Sequence, residues 1–210
     1  MKNPLNYQAT EYDCGPTTML NAISYLFKRE EIPPDIAKMI MQYCLDGYNN
    51  KGEAHKRGTS DMAMYFLANW LNHFGKVRKF PILCETISGE EVYIGQNARI
   101  ASCLQQKGVV VAKVMLGCWH YVLLTDIDDE YVYLFDPYYR QRPFDRKGVE
   151  IIYGEPKKMN RRVLHGMMND TGRTHYALGR KEERECVLIY NKKQDLQWTP
   201  SNTLYNGNAE

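Results

Sequence analysis

The sequence predicts an α+β fold, with helices from the N-terminal half packed on an antiparallel sheet from the C-terminal half. Three observations carry that expectation. Apolar residues recur at three-and-four spacing through the first half, as in helices with one buried face. Beyond Gly108 the pattern changes to short runs of β-branched and aromatic residues separated by turn residues. At 210 residues and 44% hydrophobic content, the chain is long enough to bury one full core. One domain over residues 1–191 and a polar tail over 192–210 are therefore expected.

In the first helix Met19, Leu20, Ile23, Leu26 and Phe27 form the apolar stripe. Pro16 suits its first turn, where the N–H groups lack intrahelical partners. Ile32-Pro33-Pro34 interrupts the pattern, and a second helix over 35–45 presents Ile36, Met39, Ile40 and Tyr43. Residues 46–58, with three glycines and two asparagines, read as a loop. Thr59 or Ser60 caps a third helix, whose stripe is Met62, Phe66, Leu67, Trp70, Leu71 and Phe74 and whose end is placed at Gly75. Short strands follow at 77–83 and 92–94, then a helix over 97–106 closed by Gly108. Residues 109–115, 120–125 and 131–136 read as strands. The last two are apolar on both faces, which places them inside a sheet covered on both sides. Residues 149–153 and 186–190 extend that sheet. The charged, Gly- and Asn-rich segment between them carries no assignment.

Composition narrows the function classes. A net charge of +2 favours no charged partner. Basic residues gather after Tyr139 (Arg140, Arg142, Arg146, Lys147, Lys157, Lys158, Arg161 and Arg162), but no aromatic-basic motif accompanies them. They read as a solvated face, and no nucleic-acid partner is expected. The start, MKNPLNYQ, lacks the apolar core of a secretory leader, and no run is long enough to span a membrane, so a soluble, cytoplasmic protein is expected. Six cysteines, at 14, 44, 84, 103, 118 and 186, form no CxxC pair and no dense framework, which fits reduced thiols. Cys14, Cys118 and His120 lack the pairing of a zinc site. Asp126, Asp128 and Asp129 read as turn formers, because the glycine and terminal glutamate of a calcium loop are missing. No metal or cofactor is expected.

Two stretches bear chemistry. Cys14 opens the first helix, where unpaired N–H groups and the positive end of the helix dipole favour a thiolate. Gln8 lies six residues before it. Residues 118–139, CWHYVLLTDIDDEYVYLFDPYY, supply a base and its orienter in one hairpin. A turn centred near Asp128 makes His120 and Asp136 direct cross-strand neighbours on one face, with Cβ atoms about 4.5–5.5 Å apart. A slip of one residue would put them on opposite faces. Pro137 keeps Asp136 extended. Taken alone, His120 also reads as a core histidine satisfied by a backbone carbonyl.

Gln8, five residues, Cys14-Gly15, and much later Trp119-His120 followed by apolar residues and Asp136-Pro137, form a pattern. It resembles the bacteriocin-processing cysteine peptidases. These are the double-glycine leader peptidases found as N-terminal domains of peptide-exporting ABC transporters, together with stand-alone relatives. The resemblance covers residues 7–27 and 117–138. It implies a papain-like fold, with Cys14 as nucleophile, His120 as general base and acid, Asp136 as the residue orienting the histidine, and Gln8 as side-chain oxyanion donor. Asp13 matches the family's acid at that position, and helix capping is its ordinary role. The implied partner is a peptide or protein substrate, cut after small residues such as Gly-Gly, with association with an exporter a further implication. An acyl transferase or isopeptidase using the same Cys-His pair also fits these residues. So does a non-catalytic peptide-binding module on the same scaffold. Residues 46–58 and 140–185 lie outside the pattern.

Overall fold

The computed structural model describes residues 3–193. Helices α1 (Cys14–Leu26), α2 (Pro34–Tyr43) and α3 (Asp61–Arg78) come first. The strands are β1 (Ile82–Ser88), β2 (Val109–Met115), β3 (Trp119–Ile127), β4 (Tyr131–Phe135), β5 (Val149–Ile151), β6 (Arg161–Leu164) and β7 (Glu185–Asn191). Two short helices, α4 (Arg99–Gln105) and α5 (His165–Met168), lie between strands. The strands form one sheet in the order β1-β7-β2-β3-β4-β6-β5, and every neighbouring pair is antiparallel. The fold is α+β, as the change of periodicity at Gly108 predicts.

Both faces of the sheet are buried. On one, Val109, Val111, Tyr121, Leu123, Phe135 and Ile189 pack with Cys14, Met19 and Ile23 of α1, Ile36 and Ile40 of α2 and Leu67 and Leu71 of α3. On the other, Val110, Val122, Leu124, Val132 and Leu134 meet Ile100 and Leu104 of α4 and Met168, Tyr176 and Leu178 from the C-terminal segment. Alternate residues of β2–β4 thus enter two different cores, which is why most positions on both faces of these strands are apolar. β3 is the fourth strand of seven, in the middle of the sheet.

The structure corrects several boundaries. α3 continues through Gly75 to Arg78 and ends where Lys79 turns left-handed, at φ 54°. Gly75 serves close packing instead: a Cβ there would stand 2.9 Å from the Phe80 carbonyl oxygen. Val77 is therefore helical, and the first strand starts at Ile82. Residues 92–94 are not a strand; the side chain of Asn169 bonds the N–H and C=O of Ile94, both at 2.8 Å. Met62 and Phe66 lie on the exposed side of α3, whose buried side is Ala63, Met64, Leu67, Ala68, Leu71, Phe74 and Gly75. Ser60 is the cap, its Oγ accepting from the Ala63 N–H at 3.1 Å. β6 and α5 were not legible, since Arg161-Arg162-Val163-Leu164 buries an arginine where a strand pattern would place an apolar residue. The predicted tail lies outside the described residues from 194 onward; Lys192 still bonds to the Pro81 carbonyl at 2.8 Å. Among the described residues no helix is long and apolar enough to cross a membrane.

The start of α1 is wedged against the residues leading into α3. A Cβ on Gly15 would lie 2.0 Å from Thr59 Oγ1 and 2.7 Å from Thr59 Cβ. Overpacking of this kind costs about 1–3 kcal/mol. Gly15→Ala should lose stability on that scale in urea unfolding. Adding Thr59→Gly should recover part of the loss, and strict additivity of the two changes would contradict the wedge.

Candidate functional site

Cys14 is the first residue of α1, and the helix is locked on the sheet one turn later. The buried Thr18 hydroxyl donates to the Tyr121 carbonyl at 3.0 Å, next to His120. Asn21, also buried, bonds both the N–H and the C=O of Asn6, at 2.8 and 2.9 Å, and so draws the N-terminal segment along α1. That segment then meets the end of β4. The Gln8 N–H donates to the Pro137 carbonyl at 2.9 Å, and the Tyr7 ring sits 5.3 Å from Phe135 and 5.0 Å from Tyr139. Gln8, Cys14, His120 and Asp136 are thereby brought into one region.

Asp13 does not cap α1. Its carboxylate turns back to accept from the Ala9 N–H at 3.0 Å and from the Thr10 N–H and hydroxyl at 2.8 and 2.7 Å. It closes the loop between Gln8 and Cys14 and leaves the first turn of the helix without a side-chain cap. Burial alone would raise its pKa, but the bonds from Thr10 and Ala9 outweigh that and hold it below the usual carboxylate value.

His120 and Asp136 meet, though not by the expected register. The turn runs through residues 128–130, with Asp128 Oδ1 accepting from the N–H groups of Glu130 and Tyr131. Near the turn Ile127 pairs with Val132 and Asp126 with Tyr133. Continued unbroken, that register would put Asp136 on the face opposite His120. A bulge between Leu124 and Asp126 inserts Thr125 and changes the pairing to Leu124 with Leu134 and Leu123 with Phe135. Extended by one residue, this sets Asp136 across from Val122 and makes it the diagonal, same-face neighbour of His120. The imidazole bridges the diagonal: His120 Nε2 donates to Asp136 Oδ1 at 2.7 Å. The His120 and Asp136 side chains are 7% and 1% exposed, so water scarcely competes for that bond.

The surroundings favour charge on both partners. For His120, burial pulls the pKa down, but the Asp136 carboxylate and, less strongly, the Cys14 thiol overcome it and push the imidazole up to about 10. For Asp136, burial pulls the other way. His120, the Tyr176 hydroxyl and the Tyr138 N–H outweigh it and hold the carboxyl below its usual value. With Nε2 committed to Asp136, Nδ1 is the imidazole nitrogen left for the thiol. Cys14 itself is 7% exposed.

The Gln8 side chain is placed differently from the expectation. Its Nε2 donates to the Thr10 carbonyl at 2.7 Å, and its Oε1 is buried without a hydrogen-bond partner. One Nε2–H remains for another acceptor. Residues missed in the sequence come from the segment without assignment. Tyr176 donates to Asp136 Oδ2 at 2.6 Å, and Asn160 bonds the N–H and C=O of Asp136 at 2.7 and 2.8 Å. No spacing rule links a tyrosine 40 residues away to Asp136, so no sequence signal could have found it. The basic run after Tyr139 is not one solvated face. Arg161 is buried, 5.9 Å from the Phe144 ring, and Arg162 pairs with Glu150 at 2.6 Å. Among the described residues no group of three or more His, Cys, Asp or Glu could hold a metal ion.

No protein-family model matches the chain, and no curated protein sequence matches it. Among solved structures it is similar to a double glycine motif protease from an AMS/PCAT transporter, crystallised in complex with the leader peptide. The two chains are 12% identical, 89% of each is covered, and the TM-score is 0.42.

Proposed function

We propose that this protein is a cysteine peptidase of papain-like type, working through Cys14, His120 and Asp136. The observation that carries the reading is the buried His120–Asp136 bond, with Cys14, at the start of a helix, near enough to help raise the proton affinity of that imidazole. Asp136 holds Nε2 and favours the imidazolium, and the helix dipole favours the thiolate. The thiolate attacks a peptide carbonyl carbon, forming a C–S bond and an oxyanion. The Cys14 N–H, which has no intrahelical partner, and the second Nε2–H of Gln8 receive that oxyanion. A donor of this kind contributes about 2.7–4 kcal/mol. As the intermediate collapses the C–N bond breaks, and His120 passes its proton to the leaving amine. Water, deprotonated by His120, then attacks the thioester, releases the acid and regenerates the thiolate. Preference for small residues such as Gly-Gly rests on the resemblance in residues 7–27 and 117–138.

The test is cleavage of a broad peptide library that includes a designed Gly-Gly leader, read by product mass. Cuts after small residues are expected. Peptides that bind folded protein and stay intact would favour the binding module. Capture of the acyl group by added amines faster than by water would favour acyl transfer.

A further inference from the structure

Tyr176 lies in the chain between α5 and β7, outside both stretches that carry the proposed chemistry. Its ring is fully buried, and its backbone holds φ 64°, a left-handed conformation that non-glycine residues rarely adopt. Two backbone bonds hold it there: the Tyr176 N–H donates to the Met115 carbonyl at 2.6 Å, and the Met115 N–H donates to the Ala177 carbonyl at 2.8 Å. Met115 ends β2, and its neighbour Val114 pairs with His120. The loop carrying Tyr176 is thus docked on the strand beside the one that carries the histidine.

The Asp136 carboxylate is held on every side. Oδ1 accepts from His120 Nε2 at 2.7 Å and from the Tyr138 N–H at 2.8 Å; Oδ2 accepts from the Tyr176 hydroxyl at 2.6 Å. Asn160 fixes the backbone of the same residue. The charged and titratable groups around this unit are His120 and Cys14 on one side and Arg161 on the other, whose guanidinium donates to the Asn160 and Tyr138 carbonyls at 2.8 and 3.4 Å. Without Tyr176, Oδ2 would be a buried acceptor with no donor, and the carboxylate could turn about its Cβ–Cγ bond to seek one.

We propose that Tyr176 is a positioning residue: its hydroxyl holds the Asp136 carboxylate in the rotation that keeps Oδ1 on His120. The 140–185 segment then completes the site. The assignment rests on the peptidase reading for its purpose, but not for its test.

The test compares wild type with Tyr176→Phe by NMR on resting protein. In the variant the His120 Nε2–H proton, shielded by its bond to Asp136, should exchange with solvent about tenfold faster. The Asp136 carboxyl should titrate about one pH unit higher, since a tenfold shift in proton affinity is one unit. A purely structural role for the ring would lower the melting temperature and leave both readouts in place. A folded Tyr176→Phe protein with the wild-type exchange rate overturns the proposal. If the variant fails to fold, the wild type decides: a slowly exchanging, downfield Tyr176 hydroxyl proton is expected, and its absence overturns the proposal. Neither readout needs substrate. Failure to cleave peptides would therefore sink the peptidase reading while this contact stayed measurable, and wild-type exchange in a cleaving variant would do the reverse.

Discussion

On the proposed mechanism, Cys14→Ala abolishes peptide cleavage and His120→Ala lowers it by about 10²–10⁴-fold, the range contributed by a positioned acid-base group. The two losses have different origins. Without the sulfur no acyl-enzyme forms, so no residual turnover passes through the thioester. Without the imidazole the thiol remains, but it must lose its proton to solvent and the amine must leave without an acid. A second readout separates chemistry from folding. Iodoacetamide should alkylate Cys14 at pH 6 at least about tenfold faster in the wild type than in His120→Ala, because the imidazole takes up the thiol proton. Cys118 is the exposed cysteine of the six and would react as well, so rates are read on the Cys14 peptide or in Cys118→Ser protein. Equal alkylation rates at pH 6 in folded wild type and folded His120→Ala would refute the pair.

Asp136→Ala will destabilise the protein by about 3–5 kcal/mol at pH 5.5, the cost of breaking a buried ion pair by removing one partner. It leaves the imidazole unpaired and the Tyr176 hydroxyl without its acceptor. The loss should depend on pH in a defined sense. His120 titrates near 6.5 when unfolded and is pushed up to about 10 by Asp136, so its contribution is complete below pH 6.5 and lost as pH rises through about 10. The Asp136 carboxyl is held below its usual value, so its contribution is present above about pH 4 and lost as pH falls through the depressed value. The gap between wild type and variant is therefore widest between about pH 4 and 6.5 and narrower at pH 9.5. Urea unfolding at pH 5.5 and 9.5 measures it. A gap of the same size at both would mean that the pair is not charged in the folded protein.

Much of the architecture is legible in the residues themselves. The three-and-four spacing of Met19, Ile23 and Leu26 marks α1, and the apolar run at 109–115 marks β2 to the residue. Glycine misleads at position 75, because a glycine required for close contact with Phe80 and one required to end a helix look the same in sequence. Met62 and Phe66 mislead for a related reason. The stripe of α3 is broader than the face that the sheet covers, and periodicity does not say which edge is left outside.

The site divides along the same line. The sequence by itself determined which groups bear the proposed chemistry: a cysteine opening a helix, a glutamine before it, and a histidine and an aspartate at the two ends of one hairpin. These are local facts of residue type, spacing and turn chemistry. Only the tertiary structure decided how they meet. The bulge at Thr125 returns Asp136 to the face of His120, a change of one residue that the apolar alternation of β3 and β4 cannot reveal because both faces are buried. The turn of Asp13 toward Ala9 and Thr10, and the closure of Asp136 by Asn160 and Tyr176, were equally beyond the sequence. Hydrogen bonds between residues 24 and 40 positions apart leave no periodic trace, since nothing in the intervening chain must repeat for them to form.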